Sequence, residues 1–306
     1  MRRARPTLRD RSGLALVLTL AVLVMITALV VEFAYGVYVN TSFLRNWETS
    51  EKLSLAARSG VTLGAGLVDY ALGQYSYTYP GTVDIPPTDP FSSESADSFS
   101  PVVALRIEDE TSKFNVNSLV MENDELNEKA YALFERLLGN LGLDAALAGA
   151  LADWIDRDGV PRAPDSETGA ANAAFRSVDE LLLVPGIDAE VYDKLKPYVT
   201  VYGLRNTIEK SININGAGLE LIMALHKDMT AELAQRIVDR REVQPFKRAN
   251  EVFSIPGLES GFQDLPITER GKYFRLSAVA ASEDGIKRAV ECVIDANGVI
   301  QFWKET

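Results

Sequence analysis

Clustered carboxylates are the residues in this chain best suited to chemistry. Asp153, Asp156 and Asp158 stand at i, i+3 and i+5 in the run ADWIDRDG (152–159), and Asp165 and Glu167 follow shortly after. Hard oxygen ligands on a chain that must turn sharply suit a hard divalent cation, with calcium the candidate. The order is not that of an EF-hand loop, because the D-x-D-x-D-G spacing and the closing Glu are missing. The competing reading is a helix C-terminus running into an acidic, solvated loop. A second acidic pair, Asp109-Glu110, falls at an expected hairpin tip, and turn chemistry accounts for it.

Other chemistries have little to stand on. The chain has one cysteine, Cys292, and one histidine, His226. An internal disulfide is therefore impossible, Cys/His zinc sites are excluded, and a Ser-His-Asp triad would rest on His226 alone. His226 lies in the helical pattern LIMALHKDM, where a partly exposed helix histidine is the simpler reading. Neither a glycine-rich phosphate loop nor G-x-S-x-G occurs. The chain is expected not to be an enzyme; an anchored enzyme built on the acidic metal site is the alternative.

Two Pro-Gly turns, VPGI (184–187) and IPGL (255–258), look like helix-hairpin-helix elements, which hold phosphate on backbone N–H groups. That reading needs nearby cations. Asp188, Glu190 and Glu259 follow the turns instead, and residues 118–270 carry 16 Lys/Arg against 26 Asp/Glu. With a net charge of −12 for the whole chain, phosphate would be repelled and no nucleic-acid partner is expected. A membrane-anchored DNA-uptake or DNA-binding protein is kept as the alternative function. The simpler reading is two helical units resembling sterile-alpha-motif folds, which use Pro-Gly as a turn.

The elements that must carry these residues begin with an apolar run. From Leu14 to Val31 there is no charge, and only Thr19 and Thr27 are polar. As a helix those positions span roughly 27 Å, about a bilayer's hydrocarbon thickness. Arg2, Arg3, Arg5, Arg9 and Arg11 precede the run, so the positive-inside rule keeps them cytoplasmic and places the bulk outside, in a periplasm. Three readings compete. A cleaved signal would need a small-residue site after the run, and Glu32-Phe33-Ala34-Tyr35 offers none. A signal anchor fits the hydropathy. A type IV prepilin leader would be cut before the run, after the glycine closing a basic leader, and Gly13-Leu14 resembles that junction.

Past Glu32 the apolar residues recur at three and four through Leu72, which predicts one helix over about 14–72, amphipathic in its second half. Gly36, Gly60, Gly64 and Gly66 weaken it locally. Residues 73–101 are rich in Ser, Pro and Asp and read as an exposed loop. Val102–Glu108 reads as a strand, with Lys113–Asn117 returning alongside it. Helices are expected at 125–141, 144–156, 177–183, 189–198, 217–224, 230–241 and 249–254. Strands are expected at 274–281, 286–295 and 299–303, joined at Glu283-Asp284-Gly285 and Ala296-Asn297-Gly298.

The helical stretch contains an internal duplication. FNVNSL (114–119) echoes ININGA (212–217). Phe175-Arg176 with VDELLLVPGI (178–187) echoes Phe246-Lys247 with ANEVFSIPGL (249–258). The first copy is 27 residues longer, and its excess includes the acidic run.

These residues together resemble the K-type minor pseudopilin of type II secretion systems (general secretion pathway protein K). The matching stretches are Arg11-Ser12-Gly13 before Leu14, IEDETSKFNVNSL (107–119), ADWIDRDG, FRSVDELLLVPGI (175–187) and ININGAGLELIMAL (212–225). The resemblance implies an α+β, pilin-like fold, with a long N-terminal helix packed on a small antiparallel sheet and a large all-α, SAM-like insert. It implies a leader at 1–13 and a transmembrane half-helix at 14–32. The amphipathic helix, loop and first strands would occupy 33–117, two SAM-like units 118–270, and the closing strands 271–306. A prepilin peptidase would cut after Gly13 and methylate Leu14. The product would be a single-pass inner-membrane protein with its bulk in the periplasm, extracted from the lipid into the pseudopilus. There it would cap or initiate the fibre with I- and J-type minor pseudopilins, the H-type as a further candidate, and the major pseudopilin. Ordinary pilins, by the same resemblance, carry Glu at the fifth mature position. Leu18 stands there, and a tip subunit with no neighbour above it would gain from avoiding a lone carboxylate in lipid. Family members bind calcium; Cys292 departs from relatives with a disulfide.

Overall fold

The computed structural model describes residues 9–79, 82–88, 101–163, 166–259, 261–282 and 284–306. In chain order the elements are α1 (Arg9–Gln74), β1 (Thr82–Thr88), β2 (Val102–Asp109), β3 (Phe114–Asn115), α2 (Glu128–Asn140), α3 (Ala146–Ile155), α4 (Ala189–Leu195), β4 (Val199–Thr200), β5 (Ile212–Asn213), α5 (Leu219–Ala224), α6 (Ala231–Val243), β6 (Ile267–Thr268), β7 (Tyr273–Ala281), β8 (Lys287–Asp295) and β9 (Ile300–Glu305). The chain forms two units, Met1–Lys52 and Leu53–Thr306.

In the first unit the helix carries an 18-residue stretch of mean hydropathy 3.0 with none of its surface buried, long and apolar enough to cross a membrane. Its hydroxyls are satisfied inside the helix. Thr19 Oγ1 donates to the Leu16 carbonyl at 2.9 Å and Thr27 Oγ1 to Leu23 at 2.7 Å. Such back-bonding leaves no polar group needing water, the condition for a helix in lipid. Among the described residues α1 is already helical at Arg9 and runs through Gly13, ahead of the expected start at Leu14.

The second unit is built on a mixed helix–sheet core. Leu53, Ala57, Val61, Gly64, Val68 and Leu72 form the buried stripe of α1, at spacings of three and four, with Ala56 and Gly60 buried beside it. They pack on one face of a five-stranded antiparallel sheet ordered β1-β2-β7-β8-β9. That face is made by Val103 and Leu105, by Phe274, Leu276, Ala278 and Ala280, and by Val290, Cys292 and Ile294, each set alternating along its strand. Two glycines set the approach. A Cβ on Gly60 would lie 2.9 Å from Val103 Cγ1, and one on Gly64 would lie 3.2 Å from Leu105 Cδ1. The glycines that weaken the helix in isolation thus let it sit down on the sheet. Cys292 is a core residue, and burial pushes its thiol up to about 11.

Two expectations need correction. The stretch 73–101 is not wholly loop, since β1 pairs antiparallel with β2 from Thr82↔Glu108 to Ile85↔Leu105. Its sequence, TVDIPPT, hides a strand behind Pro86-Pro87, which are tolerated because β1 is an edge. Nor does 113–117 return alongside β2. A 3₁₀ turn at Glu110–Ser112, capped by Asp109, redirects the chain, and β3 pairs parallel with β4 (Phe114↔Val199).

Between β2 and β7 lies the insert. It is mostly helical but not all-α: β3–β4 and β5–β6 are two-residue parallel bridges, and 178–183 and 249–254 are 3₁₀ rather than α. The duplication is plain in three dimensions. Asn117 Nδ2 donates to the Phe175 carbonyl at 2.9 Å, and the Phe175 N–H donates back to Asn117 Oδ1 at 2.8 Å. Asn215 and Phe246 make the same pair at 2.9 and 2.8 Å. In each copy one more backbone carbonyl accepts from the same amide nitrogen, that of Val201 at 2.8 Å and that of Glu269 at 3.3 Å.

Candidate metal centre

The acidic run is delivered by the end of α3. That helix is buried almost all round, so Asp153 in its last turn and Asp156 just past its end are forced into the interior, both fully buried. The chain then loops through Gly159 and returns over the carboxylates. Asp153 Oδ2 accepts from the backbone N–H of Arg162 at 2.6 Å and of Ala163 at 3.3 Å, and from the Ser166 hydroxyl. Carboxylate oxygens from Asp153, Asp156 and Glu167 lie within 4.8 Å of one another. Calcium–oxygen bonds of about 2.3–2.6 Å allow three ligands at that spacing to share one ion.

Of the five carboxylates expected here, the structure gathers these three. Asp158 is turned outward, half-exposed, with Oδ1 accepting from the Val160 N–H. Asp165 lies outside the described residues. A cation absent from the sequence reading completes the cluster. Arg162 Nη1 reaches Asp153 Oδ1 at 2.6 Å and also bonds Asp156 Oδ2, while Nη2 reaches Asp158 Oδ2 at 3.2 Å. A basic residue between two acidic stretches was the signal for it.

The electrostatics leave a deficit of positive charge. Burial raises the Asp156 pKa, with Arg162 opposing. Burial raises Glu167 too, reinforced by Asp153, Asp156 and Asp158. Arg162 is held charged because the carboxylates outweigh its own burial. Among the described residues one guanidinium faces four carboxylates, and two oxygens, Asp156 Oδ1 and Glu167 Oε1, are buried with no hydrogen-bond partner there. Orphaned buried carboxylate oxygens are costly and suit a hard cation. The residues therefore fit calcium.

The pair Asp109-Glu110 is more than a turn, and sequence reasoning underrated it. Both are buried, and each carboxylate ties one helical copy to the sheet. Asp109 Oδ1 accepts from the Thr111 N–H at 2.8 Å, and Oδ2 from Asn213 Nδ2 at 2.6 Å and Thr78 Oγ1 at 3.2 Å. A Cβ on Gly271 would fall 2.6 Å from that same oxygen, so glycine is required there. Burial pushes Asp109 up to about 6, against the hydrogen bonds from Asn213, Thr111 and Thr78. Glu110 Oε1 instead meets Lys113 Nζ at 2.8 Å and Arg275 Nε at 2.9 Å, while Oε2 accepts from Thr200. Burial disfavours its charge, but Lys113 and Arg275 prevail and hold Glu110 down at about 2.

The remaining candidates carry less. His226 packs against Phe262, ring centroids 4.9 Å apart, and its Nδ1 accepts from the Asp228 N–H. At the second Pro-Gly turn the Gly257 N–H donates to Glu259 Oε2 at 2.8 Å, so a carboxylate takes the donor a phosphate would need. Gly13, Leu14 and Leu18 lie exposed on α1.

Comparison with known proteins gives one family. Two family models described as type II secretion system (T2SS), protein K match residues 112–204 and 212–268, the two copies in turn. The chain is similar to the type II secretion system protein K of Pseudomonas aeruginosa, 29% identical over 165 residues, covering 48% of this chain and 46% of the relative. With that of Dickeya chrysanthemi it shares 31% identity over 147 residues, 43% and 41% of the two chains. With that of Aeromonas hydrophila it shares 26% over 214 residues, 58% and 62%. Matches thus span about half the length of these curated relatives. In fold it is similar to a chain in the crystal structure of the GspK-GspI-GspJ complex from the enterotoxigenic Escherichia coli type 2 secretion system. There the TM-score is 0.65 at 18% identity, covering 87% of this chain and 99% of the other.

Proposed function

We propose a function from one premise: the chain belongs to the type II secretion system protein K family. It acts as a minor pseudopilin, held in the inner membrane by the first half of α1 and carrying its folded unit on the periplasmic side. The observation that carries this reading is the division of labour along one 66-residue helix. Its N-terminal part is apolar and exposed, and from Leu53 it is the buried spine of a sheet. A helix of that kind can sit in lipid as a precursor and later pack into a fibre, the pilin-like principle.

Prepilin peptidase cuts after Gly13 and methylates Leu14, leaving the apolar run at the mature N-terminus. Leu18 fits a subunit that enters the fibre first, since no partner is needed for a buried charge. The duplicated insert, two SAM-like units, makes a head too bulky for the shaft and so caps the pseudopilus or initiates it. I- and J-type minor pseudopilins are its partners, in keeping with the GspI and GspJ chains of the similar complex. The H-type and the major pseudopilin follow along the fibre. Calcium, held by Asp153, Asp156 and Glu167, would pin the 156–174 loop to α3. The DNA-binding alternative loses support from Glu259 on Gly257.

Mass spectrometry of the protein from cells, with Gly13→Val beside wild type, tests the reading. The mature wild-type chain should start at methylated Leu14, while the variant stays uncut and secretion fails. A wild-type chain starting at Met1, or well past Val31, would refute it.

A further inference from the structure

We infer that Arg162 is the resident counter-ion of the acidic site, so that a divalent cation binds only by displacing its guanidinium. The inference rests on the calcium reading above and concerns how that site is controlled.

The argument starts from positions. Arg162 Nη1 bonds Asp153 Oδ1 and Asp156 Oδ2 together, two of the three carboxylates that an ion would share. An ion that shares Asp153 Oδ1 and Asp156 Oδ2 would need the place that this nitrogen fills. Guanidinium and ion cannot both sit there, because like charges at a few ångströms repel strongly where water is scarce. The backbone is arranged to survive the exchange. Arg162 and Ala163 hold Asp153 Oδ2 through their N–H groups, so the loop stays anchored when the side chain swings out. An exit exists, since the Arg162 side chain is about a quarter exposed and Nη2 already contacts the outward Asp158. A reason for exchange exists as well. Arginine leaves Asp156 Oδ1 and Glu167 Oε1 without partners among the described residues, and a hard cation with six to eight oxygen ligands would satisfy them.

Arginine is also a fixed, always-charged donor, so the loop is closed whether or not calcium is present. The consequence is a site with weakened affinity, responsive to calcium in the range where arginine and ion compete.

The test is calcium titration by isothermal calorimetry on the full chain in detergent, wild type against Arg162→Gln and Arg162→Lys, with melting temperatures in chelator and in calcium. Arg162→Gln should bind calcium at least roughly tenfold more tightly than wild type, given the repulsion removed. It should also melt lower than wild type in chelator and gain more from calcium. Arg162→Lys, which keeps the charge but loses the fork, should fall between, and serves if the glutamine variant does not fold without calcium. Equal calcium affinity in wild type and variants would overturn the displacement idea while leaving the calcium site standing. Absence of binding in all three would overturn both.

Discussion

Replacing Glu110 with glutamine should cost this protein about 3–5 kcal/mol at neutral pH, and the cost should vanish in acid. Glu110 is fully buried, between Lys113 and Arg275, whose side chains are each 16% exposed. Glutamine keeps the shape but leaves both cations poorly compensated, and breaking one partner of a buried pair typically costs about 3–5 kcal/mol. The pKa gives a second route. Glu110 falls from an ordinary 4.5 to about 2 in the folded state. At ~1.36 kcal/mol per unit that is about 3 kcal/mol. The folded pKa is depressed, so this stability is present above the unfolded value near 4.5 and is lost as pH falls towards 2. Urea unfolding followed by circular dichroism, on wild type and Glu110→Gln in the same detergent, isolates the residue, because other titrations cancel in the difference. A difference below ~1 kcal/mol at pH 7, the range of an exposed pair, would refute the buried-pair argument. So would a difference that persists undiminished near pH 2.

Asp109 should behave oppositely. Its folded pKa is raised from 3.8 to about 6, so its contribution is present below about 3.8 and lost as pH rises through 6. The loss amounts to about 3 kcal/mol by linkage, a slope that should be missing from Asp109→Asn in urea unfolding between pH 4 and 7. Asn117→Ala should destabilise by about 3 kcal/mol or more, since it strips a partner from three buried backbone groups, and Asn215→Ala by less in the same thermal unfolding, since the Glu269 carbonyl is only part-buried and keeps the Thr78 N–H. Gly60→Val should cost about 1–3 kcal/mol by overpacking against Val103. Gly66→Ala, with open space around its Cβ, should gain about 0.5–1 kcal/mol in the same assay.

The readable parts of the sequence were those governed by local periodicity. The stripe Leu53, Ala57, Val61, Val68 and Leu72 announces a helix with one buried face, and β7 and β8 show alternation with glycine turns between and after them. The duplication was legible because FNVN and ININ do the same job twice: the first Asn of each caps its own turn, and the second bonds the Phe backbone. Features that depend on distant partners were not legible. Pro86-Pro87 argue against a strand until β1 is known to be an edge. Asp109-Glu110 look like turn residues until Asn213, Thr200 and Arg275 arrive from 90 or more positions away. Arg162 stood between two acidic stretches, a signal of charge alone, with no period to say which carboxylates it would meet.

The unequal lengths of the two copies explain why, among the described residues, only the first gathers a carboxylate cluster. In the second copy α6 ends at Val243, and Phe246, the residue locked by Asn215, follows after Gln244-Pro245. In the first copy α3 ends at Ile155, and its counterpart Phe175 follows only after residues 156–174. Both must bring a phenylalanine backbone back to an asparagine, but the first must order a far longer excursion to do so. Ordering costs about 1–2 kcal/mol per residue of backbone, and this loop has few buried apolar side chains to offset it. Charge supplies what packing does not. Asp153 gathers two backbone N–H groups and a hydroxyl, Arg162 ties three aspartates, and the Ala173 N–H reaches the Trp154 carbonyl beside the stacked Trp154 and Phe175 rings. On this argument the carboxylates are there to close a loop. The proposed cation binding would then follow from having buried more negative charge than one arginine can neutralise.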